Sequence, residues 1–147
     1  DESLRNPLEL QFAPSVGYSN FLGVSAGLDL TLFIGLNEHW QARLGTEHQF
    51  AKRYSRHAYS LGANYNFDED WSRSVFLGFG AGYSEYESTD YYDNYKNQNG
   101  YLFADLGKRF RLNQSGSFTW APHITADTVS NGRAHLTLSP ITFGWSF

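Results

Sequence analysis

The stretch Leu22-Gly-Val-Ser-Ala-Gly-Leu-Asp-Leu-Thr-Leu-Phe-Ile-Gly-Leu36 decides the fold. Every second residue in it is aliphatic, and the residues between them are mostly small or polar. A repeat of two residues indicates a β-strand with one apolar face, because successive side chains point to opposite sides. Strands of globular proteins usually have about five or six residues, whereas tilted membrane-spanning strands have about 9–11. The length of this run therefore indicates a transmembrane strand.

The same alternation recurs along the chain, so the sequence predicts eight strands in a single domain over residues 1–147. The other seven strands are predicted at residues 8–18, 40–47, 59–67, 75–84, 102–109, 118–127 and 136–147. Seven connections join the eight strands: three tight ones at residues 37–39, 68–73 and 113–116, a brief one at 19–20, and three longer ones at 50–57, 85–100 and 128–133. Short turns at one end and long loops at the other are typical of outer-membrane barrels.

The composition supports a protein with an apolar outside and a polar inside. Aromatic residues make up 18% of the chain, although its mean hydropathy is −0.48. No run of about 20 predominantly apolar residues is present, and only a closed barrel could span lipid without leaving an unpaired sheet edge. The net charge of −4 argues against a nucleic-acid-binding surface. The absence of Cys excludes disulfides and thiolate metal sites.

Aromatic residues are predicted to gather at both ends of the barrel, as expected for two membrane interfaces. The tryptophans Trp40, Trp71, Trp120 and Trp145 lie near the short connections, and Tyr18, Phe21, Tyr54, Tyr59, Tyr83 and Tyr101 lie near the long ones. In the last strand the alternation changes phase near Ser139-Pro140. Because Pro is tolerated in sheets mainly at edges and bulges, we predict a β-bulge there.

A soluble eight-stranded barrel of the lipocalin kind, with its apolar face inward, is the alternative fold. The polar face argues against it, because charges lie near mid-strand at Asp29, Arg43 and Asp105, and many other positions are Gly. A solvated face would instead carry dense Lys and Glu, whereas Gly inside a narrow barrel makes room for large neighbours. The sequence therefore favours an all-β, antiparallel, up-and-down transmembrane β-barrel.

Eight polar side chains of the inward face are predicted to form a charge network: Glu9, Asp29, Arg43, Glu47, Asp105, Arg109, His123 and Asp127. Eight strands enclose a space that side chains just fill, and buried charges need partners. We therefore expect acid–Arg contacts that plug the barrel. The alternative is an ion path gated by exchangeable salt bridges.

The chain resembles the family of small eight-stranded outer-membrane barrels, such as outer membrane protein X and the transmembrane domain of outer membrane protein A. The resemblance lies in residues 59–67, the acidic turn that follows, residues 75–83 and the closing Phe143-x-Trp145-x-Phe147. That ending is similar to the signature read by the barrel assembly machinery, which would be a partner through the last strand. The resemblance implies a monomer in the bacterial outer membrane, with a structural or surface-interaction role and no cofactor. A chain that starts at Asp1 fits an exported protein without its signal peptide, and it fits an arbitrary starting point equally well.

The long connections contain two candidate contact surfaces. Tyrosines give recognition loops contact area at low entropic cost, and a solvated hairpin extension is the alternative. These tyrosines are Tyr86, Tyr91, Tyr92 and Tyr95. Basic residues in the other loop are candidates for binding lipopolysaccharide phosphates. They are Lys52, Arg53 and Arg56.

Catalytic and metal-binding functions have weaker support. His123-Ile-Thr125 resembles the His-x-Ser element of outer-membrane lipid A deacylases, but Thr replaces Ser, the last strand has no carboxylate, and His123 is predicted to face inward. The five histidines lie on different elements without ligand spacing, so no metal site is predicted. The sequence predicts a non-enzymatic barrel. A narrow ion or small-solute channel is the alternative, and a lipid A-modifying enzyme is a weaker one.

Overall fold

Eight antiparallel strands form one closed sheet in the computed structural model. The structure describes residues 7–19, 23–52, 54–88, 96–129 and 134–147, without the side chains of residues 96, 97 and 129. Five barrel strands are continuous: β1 Leu8–Ser19, β2 Gly23–Gly35, β3 Trp40–Phe50, β4 Tyr54–Asn66 and β5 Val75–Ser88. Three are interrupted: β6 is Lys96–Lys108 with Phe110–Arg111, β7 is Phe118–Trp120 with His123–Val129, and β8 is Ala134–Ser139 with Phe143–Ser146.

The barrel closes between its first and last strands. Each strand pairs with the next one along the chain, and β8 pairs with β1 on both sides of its interruption. Backbone hydrogen bonds between Leu8 and Phe147 extend this pairing, at 3.2 Å and 2.9 Å. The predicted up-and-down eight-stranded barrel is therefore confirmed.

The predicted bulge in the last strand is confirmed by the register. From Val16 to Phe12, β1 advances four residues, while β8 advances five, from Leu138 to Phe143. One extra residue on one strand of a pair defines a β-bulge. The carbonyl oxygen of Pro140 accepts a hydrogen bond of 2.7 Å from the Trp120 indole, which ties the bulge to β7.

The outer surface is apolar and the interior is polar. Leu61 and Leu102, for example, are 64% and 66% exposed, whereas most of the fully buried large side chains are Arg, Gln, Asn and Thr. A soluble barrel would have the reverse arrangement, so the lipocalin-like alternative is wrong. Among the described residues, no helix is long and apolar enough to cross a membrane.

Two predicted loops are shorter than the sequence suggested. β3 and β4 extend into residues 50–57, and β5 and β6 extend into residues 85–100, where Tyr86 pairs with Asn97. Arg56 and Tyr86 consequently lie inside the barrel and are both fully buried. The predictions that Arg56 contacts lipopolysaccharide and that Tyr86 lies on a contact loop are therefore wrong. Both the inward and the outward positions of these strand ends carry polar residues, so their sequence is similar to that of a loop.

Two aromatic residues lie away from the predicted girdles. Trp71 and Tyr101 are only 7% exposed, whereas Trp120 and Trp145 face outward near the short turns as predicted. Trp71 lies in the 3-10 turn Trp71–Arg73, where its indole donates a 2.8 Å hydrogen bond to the carbonyl oxygen of Glu38. It therefore links two of the short turns.

Candidate functional site

Three arginines organise the barrel interior in three layers between its ends. We call the end with residues 37–39, 68–73 and 113–116 the turn end, and the opposite end the loop end. Arg109 lies in the turn-end layer, Arg43 in the middle layer and Arg56 in the loop-end layer. All three side chains are nearly or fully buried, and each forms an ion pair with a buried or half-buried carboxylate.

The turn-end layer is a fork-shaped ion pair. Arg109 donates from Nε and Nη2 to the two carboxylate oxygens of Glu9, at 2.9 Å and 2.7 Å. Its other donors contact Asn66 and Gln41, and Asn64 also donates to the Gln41 amide oxygen. Bidentate Arg–carboxylate pairs are among the strongest side-chain hydrogen bonds. This layer lies in the lumen near the turn end.

The middle layer joins β3 to β6. Arg43 Nη1 lies 2.6 Å from Asp105 Oδ2. Gly78 on β5 leaves the space for this pair, because a Cβ atom there would lie 2.3 Å from both side chains. A residue without a side chain at this position therefore permits the contact across the lumen.

The loop-end layer is centred on Arg56, a residue that the sequence pattern placed in a loop. Its guanidinium lies 2.6 Å from Glu47 and 3.2 Å from Asp127, so one cation is shared by two carboxylates. The His135 ring lies 3.8 Å from Glu47. Interior ion pairs thus join six of the eight predicted residues, together with Arg56, and His135 lies beside them. Among the described ion pairs, none includes Asp29 or His123.

Aromatic rings pack against the guanidinium groups of all three layers. Phe33 lies between two guanidinium groups, 5.3 Å from that of Arg43 and 5.6 Å from that of Arg109. Arg56 lies 4.9 Å from the ring centre of Tyr101 and 5.8 Å from that of Tyr86. Cation–π contacts of this kind gain strength where the charge is shielded from water.

A small cavity lies between the middle and loop-end layers. It offers about 40 Å³ to water and is lined in part by Asp29, Arg43, Glu47 and Asp127. A buried water needs about 10–15 Å³, so the cavity has room for about three. Oδ1 of Asp29 and Oδ1 of Asp127 have no hydrogen-bond partner among the described protein groups.

The interior has more carboxylates than arginines. The described inward-facing carboxylates are Glu9, Asp29, Glu47, Asp105 and Asp127, against three arginines. Buried charges are costly unless they are paired. Among the described interior groups, carboxylates therefore outnumber arginines by two, and bound protons or cations would balance this excess.

No protein-family model matches this chain, and no curated protein sequence matches it significantly. Solved structures do match it over almost its whole length. Neisserial surface protein A superimposes with a TM-score of 0.78 at 11% identity, covering 96% of this chain and 97% of that one. The N-terminal β-barrel domain of Pseudomonas aeruginosa OprF gives 0.66 at 14% identity, covering 97% and 98%. Ail of Yersinia pestis gives 0.64 at 14% identity, covering 95% and 96%. The chain has the fold of a small outer-membrane β-barrel.

In this outer-membrane barrel fold, the eight predicted interior residues do face the lumen. His123 faces inward, as predicted, and its Nδ1 lies 3.0 Å from the carbonyl oxygen of Ala121. Thr125 also lines the central cavity. His123 and Thr125 therefore lie away from the lipid that a lipid A deacylase would have to reach.

The predicted contact residues of the loops lie largely outside the described residues. Tyr91, Tyr92, Tyr95 and Arg53 belong to this group. Lys52 is described and exposed at the loop end. It stays a candidate for contacting anionic headgroups.

A second charged cluster, centred on the buried Asp70, holds the turn end together. Asp70 accepts hydrogen bonds from Ser72, Arg73 and Arg111. Burial acts to raise the pKa of Asp70, but the hydrogen bonds from Ser72 and Arg111 and the charge of Arg111 outweigh it and lower that pKa. Gly116, with a φ of +73°, lets the neighbouring turn approach Ser72 closely.

Proposed function

We propose that the protein is a non-enzymatic barrel of the bacterial outer membrane, plugged inside, with a structural or surface-interaction role carried by its loops. The observation that supports this best is the stacking of three buried Arg–carboxylate layers across the lumen. Eight strands leave little space beyond their own side chains. Buried ion pairs of this kind, above all the Glu9–Arg109 pair with its two hydrogen bonds, would not exchange readily with passing ions.

The solved relatives in fold support the location and the role. One is named a surface protein and another an attachment invasion locus protein. The apolar outer wall requires lipid around it, and the exposed Lys52 suits the phosphates of lipopolysaccharide at the loop end. We propose that the barrel assembly machinery inserts the protein through β8.

Planar-bilayer recording tests the plug. The wild-type barrel is expected to give no reproducible conductance steps, whereas the double variant Glu9→Ala/Arg109→Ala, with its turn-end layer removed, should give brief steps. Steps of constant size from the wild type, abolished by changes at Arg43 or Arg109, would contradict a plugged barrel. Tryptophan fluorescence and a gel shift on heating would confirm that each variant is folded.

A narrow cation channel is the second candidate, and one observation favours it. The central cavity is lined by more carboxylates than arginines, an arrangement that attracts cations. In the same recordings, a cation channel predicts wild-type conductance steps in which K⁺ carries more of the current than Cl⁻. It also predicts that Asp29→Asn reduces them.

Enzymatic modification of lipid A is the weakest candidate. Nucleophilic catalysis needs a nucleophile and a base within reach of the substrate, and His123 and Thr125 face the lumen. Lipopolysaccharide incubated with the barrel is expected to keep its mass. A change in mass that His123→Asn abolishes would contradict the non-enzymatic proposal.

A further inference from the structure

Three potential metal ligands meet on the outside of the turn end. Glu38 and His39 come from the turn between β2 and β3, and Glu69 comes from the turn between β4 and β5. One ligand atom of each side chain lies within 4.8 Å of the other two. Both glutamates are exposed and His39 is half-buried, so an ion could reach all three from solvent.

The hydrogen bond that His39 makes leaves one ring nitrogen to act as a ligand. Its Nδ1 lies 2.8 Å from the carbonyl oxygen of Asn66, which can only accept a hydrogen bond, so Nδ1 carries the hydrogen. In the neutral ring, the lone pair is then on Nε2. Metal-binding histidines commonly donate their other ring nitrogen to a carbonyl or carboxylate in this way. The ring also stacks on Tyr65, with centroids 5.4 Å apart, which limits its rotation.

The backbones that carry the ligands are fixed. Asn37 Oδ1 accepts 3.0 Å hydrogen bonds from the backbone nitrogens of His39 and Trp40. The carbonyl oxygen of Glu38 accepts the hydrogen bond from the Trp71 indole. The two turns are therefore tied to each other before any ion binds, and this preorganisation lowers the cost of binding.

Within the described part of the chain, no basic side chain balances the two glutamates. No described Lys or Arg side chain forms an ion pair with Glu38 or Glu69, although the nearby Asp70 pairs with both Arg73 and Arg111. Two carboxylates and a neutral imidazole attract a divalent cation. Imidazole favours Zn²⁺, Cu²⁺ and Ni²⁺ over Mg²⁺ and Ca²⁺.

From this geometry we infer that Glu38, His39 and Glu69 form a binding site for a divalent transition-metal ion, best fitted by Zn²⁺. Three protein ligands leave at least one position of a tetrahedral zinc ion for water. The bound ion would link the two turns and stabilise the turn end. Zinc binding at these turns does not require that the interior conduct ions.

Calorimetric titration of the tag-free barrel in detergent with ZnCl₂ tests the site. We expect one ion to bind per chain, with Mg²⁺ failing to compete. His39→Asn, Glu38→Gln and Glu69→Gln should each weaken binding by at least about tenfold, since even losing a group that only orients a ligand costs about that much. The matched control is His57→Asn, because His57 packs against His48 on the outer wall, near the loop end.

Three results would overturn the site: no saturable zinc binding to the wild type, unchanged binding in His39→Asn, or loss of binding in His57→Asn. The electron paramagnetic resonance spectrum of the wild type with bound Cu²⁺ tests the site without any variant, so a misfolded variant cannot affect the result. Electron paramagnetic resonance should show hyperfine coupling to a single imidazole. Coupling to two would place the ion between His48 and His57 instead and contradict the inference.

Discussion

Removing the Arg109 side chain should destabilise the barrel more than removing any exposed arginine. The guanidinium is 1% exposed and holds Glu9, itself 3% exposed, through two hydrogen bonds. Arg109→Met would leave the Glu9 carboxylate buried without its cation. Breaking a buried ion pair in this way costs about 3–5 kcal/mol, so the free energy of unfolding should fall by that amount.

Urea unfolding in lipid vesicles, followed by tryptophan fluorescence and by gel mobility, measures the change. The control is Arg73→Met, because Arg73 also pairs with an aspartate but its side chain is 65% exposed, and such pairs contribute about 0–1 kcal/mol. The double variant Glu9→Gln/Arg109→Met should be more stable than Arg109→Met alone, since no charge is left unpaired. A loss below about 1 kcal/mol in Arg109→Met would refute the reasoning.

Two further predictions concern the middle layer and the turn end. Gly78→Val should lower the free energy of unfolding by about 1–3 kcal/mol, because the new side chain overpacks the Arg43–Asp105 pair. Gly100→Ala should change it by no more than about 0.5 kcal/mol, because a Cβ atom there would lie 3.8 Å from its nearest neighbour. Equal losses of the two variants in urea unfolding would argue against the tight fit at Gly78. Asp70 has a lowered pKa, so its ionised form stabilises the fold above the ordinary value of 3.8, and this stabilisation is lost as the pH falls through the folded value. Asp70→Asn should therefore destabilise the barrel at neutral pH and lose its effect in strong acid, and a difference that does not vary with pH would contradict this.

The barrel itself could be predicted because its signal is local. Alternation in β2 gives the strand, its length indicates a membrane, and the phase shift at Ser139-Pro140 gives the bulge. The short turns were also identified, because Asn, Asp and Gly mark them directly. The pairing partners were not available from the sequence, since register between strands decides that Arg109 meets Glu9 and Arg43 meets Asp105.

Arg56 and Tyr86 were missed although the sequence contained their signal. Arg56 continues the inward phase of Ala58 and Ser60, and Tyr86 continues that of Ser84. If the inward–outward alternation is followed from the centre of each strand past its first charged residue, both residues are placed inside the barrel. The cluster of Glu38, His39 and Glu69 had no such signal, because it joins two turns some thirty residues apart and depends on how the barrel closes.

The inside-out arrangement in a bilayer is the central claim, and one fluorescence measurement tests it directly. The chain has no Cys, so a single cysteine can be introduced and labelled at will. A fluorophore at Leu30→Cys, on the apolar outer wall near mid-strand, should be strongly quenched by lipids brominated near the bilayer centre. The same label at Gln114→Cys, in an exposed turn, should not be. Equal quenching at both positions, or none at Leu30, would contradict the account.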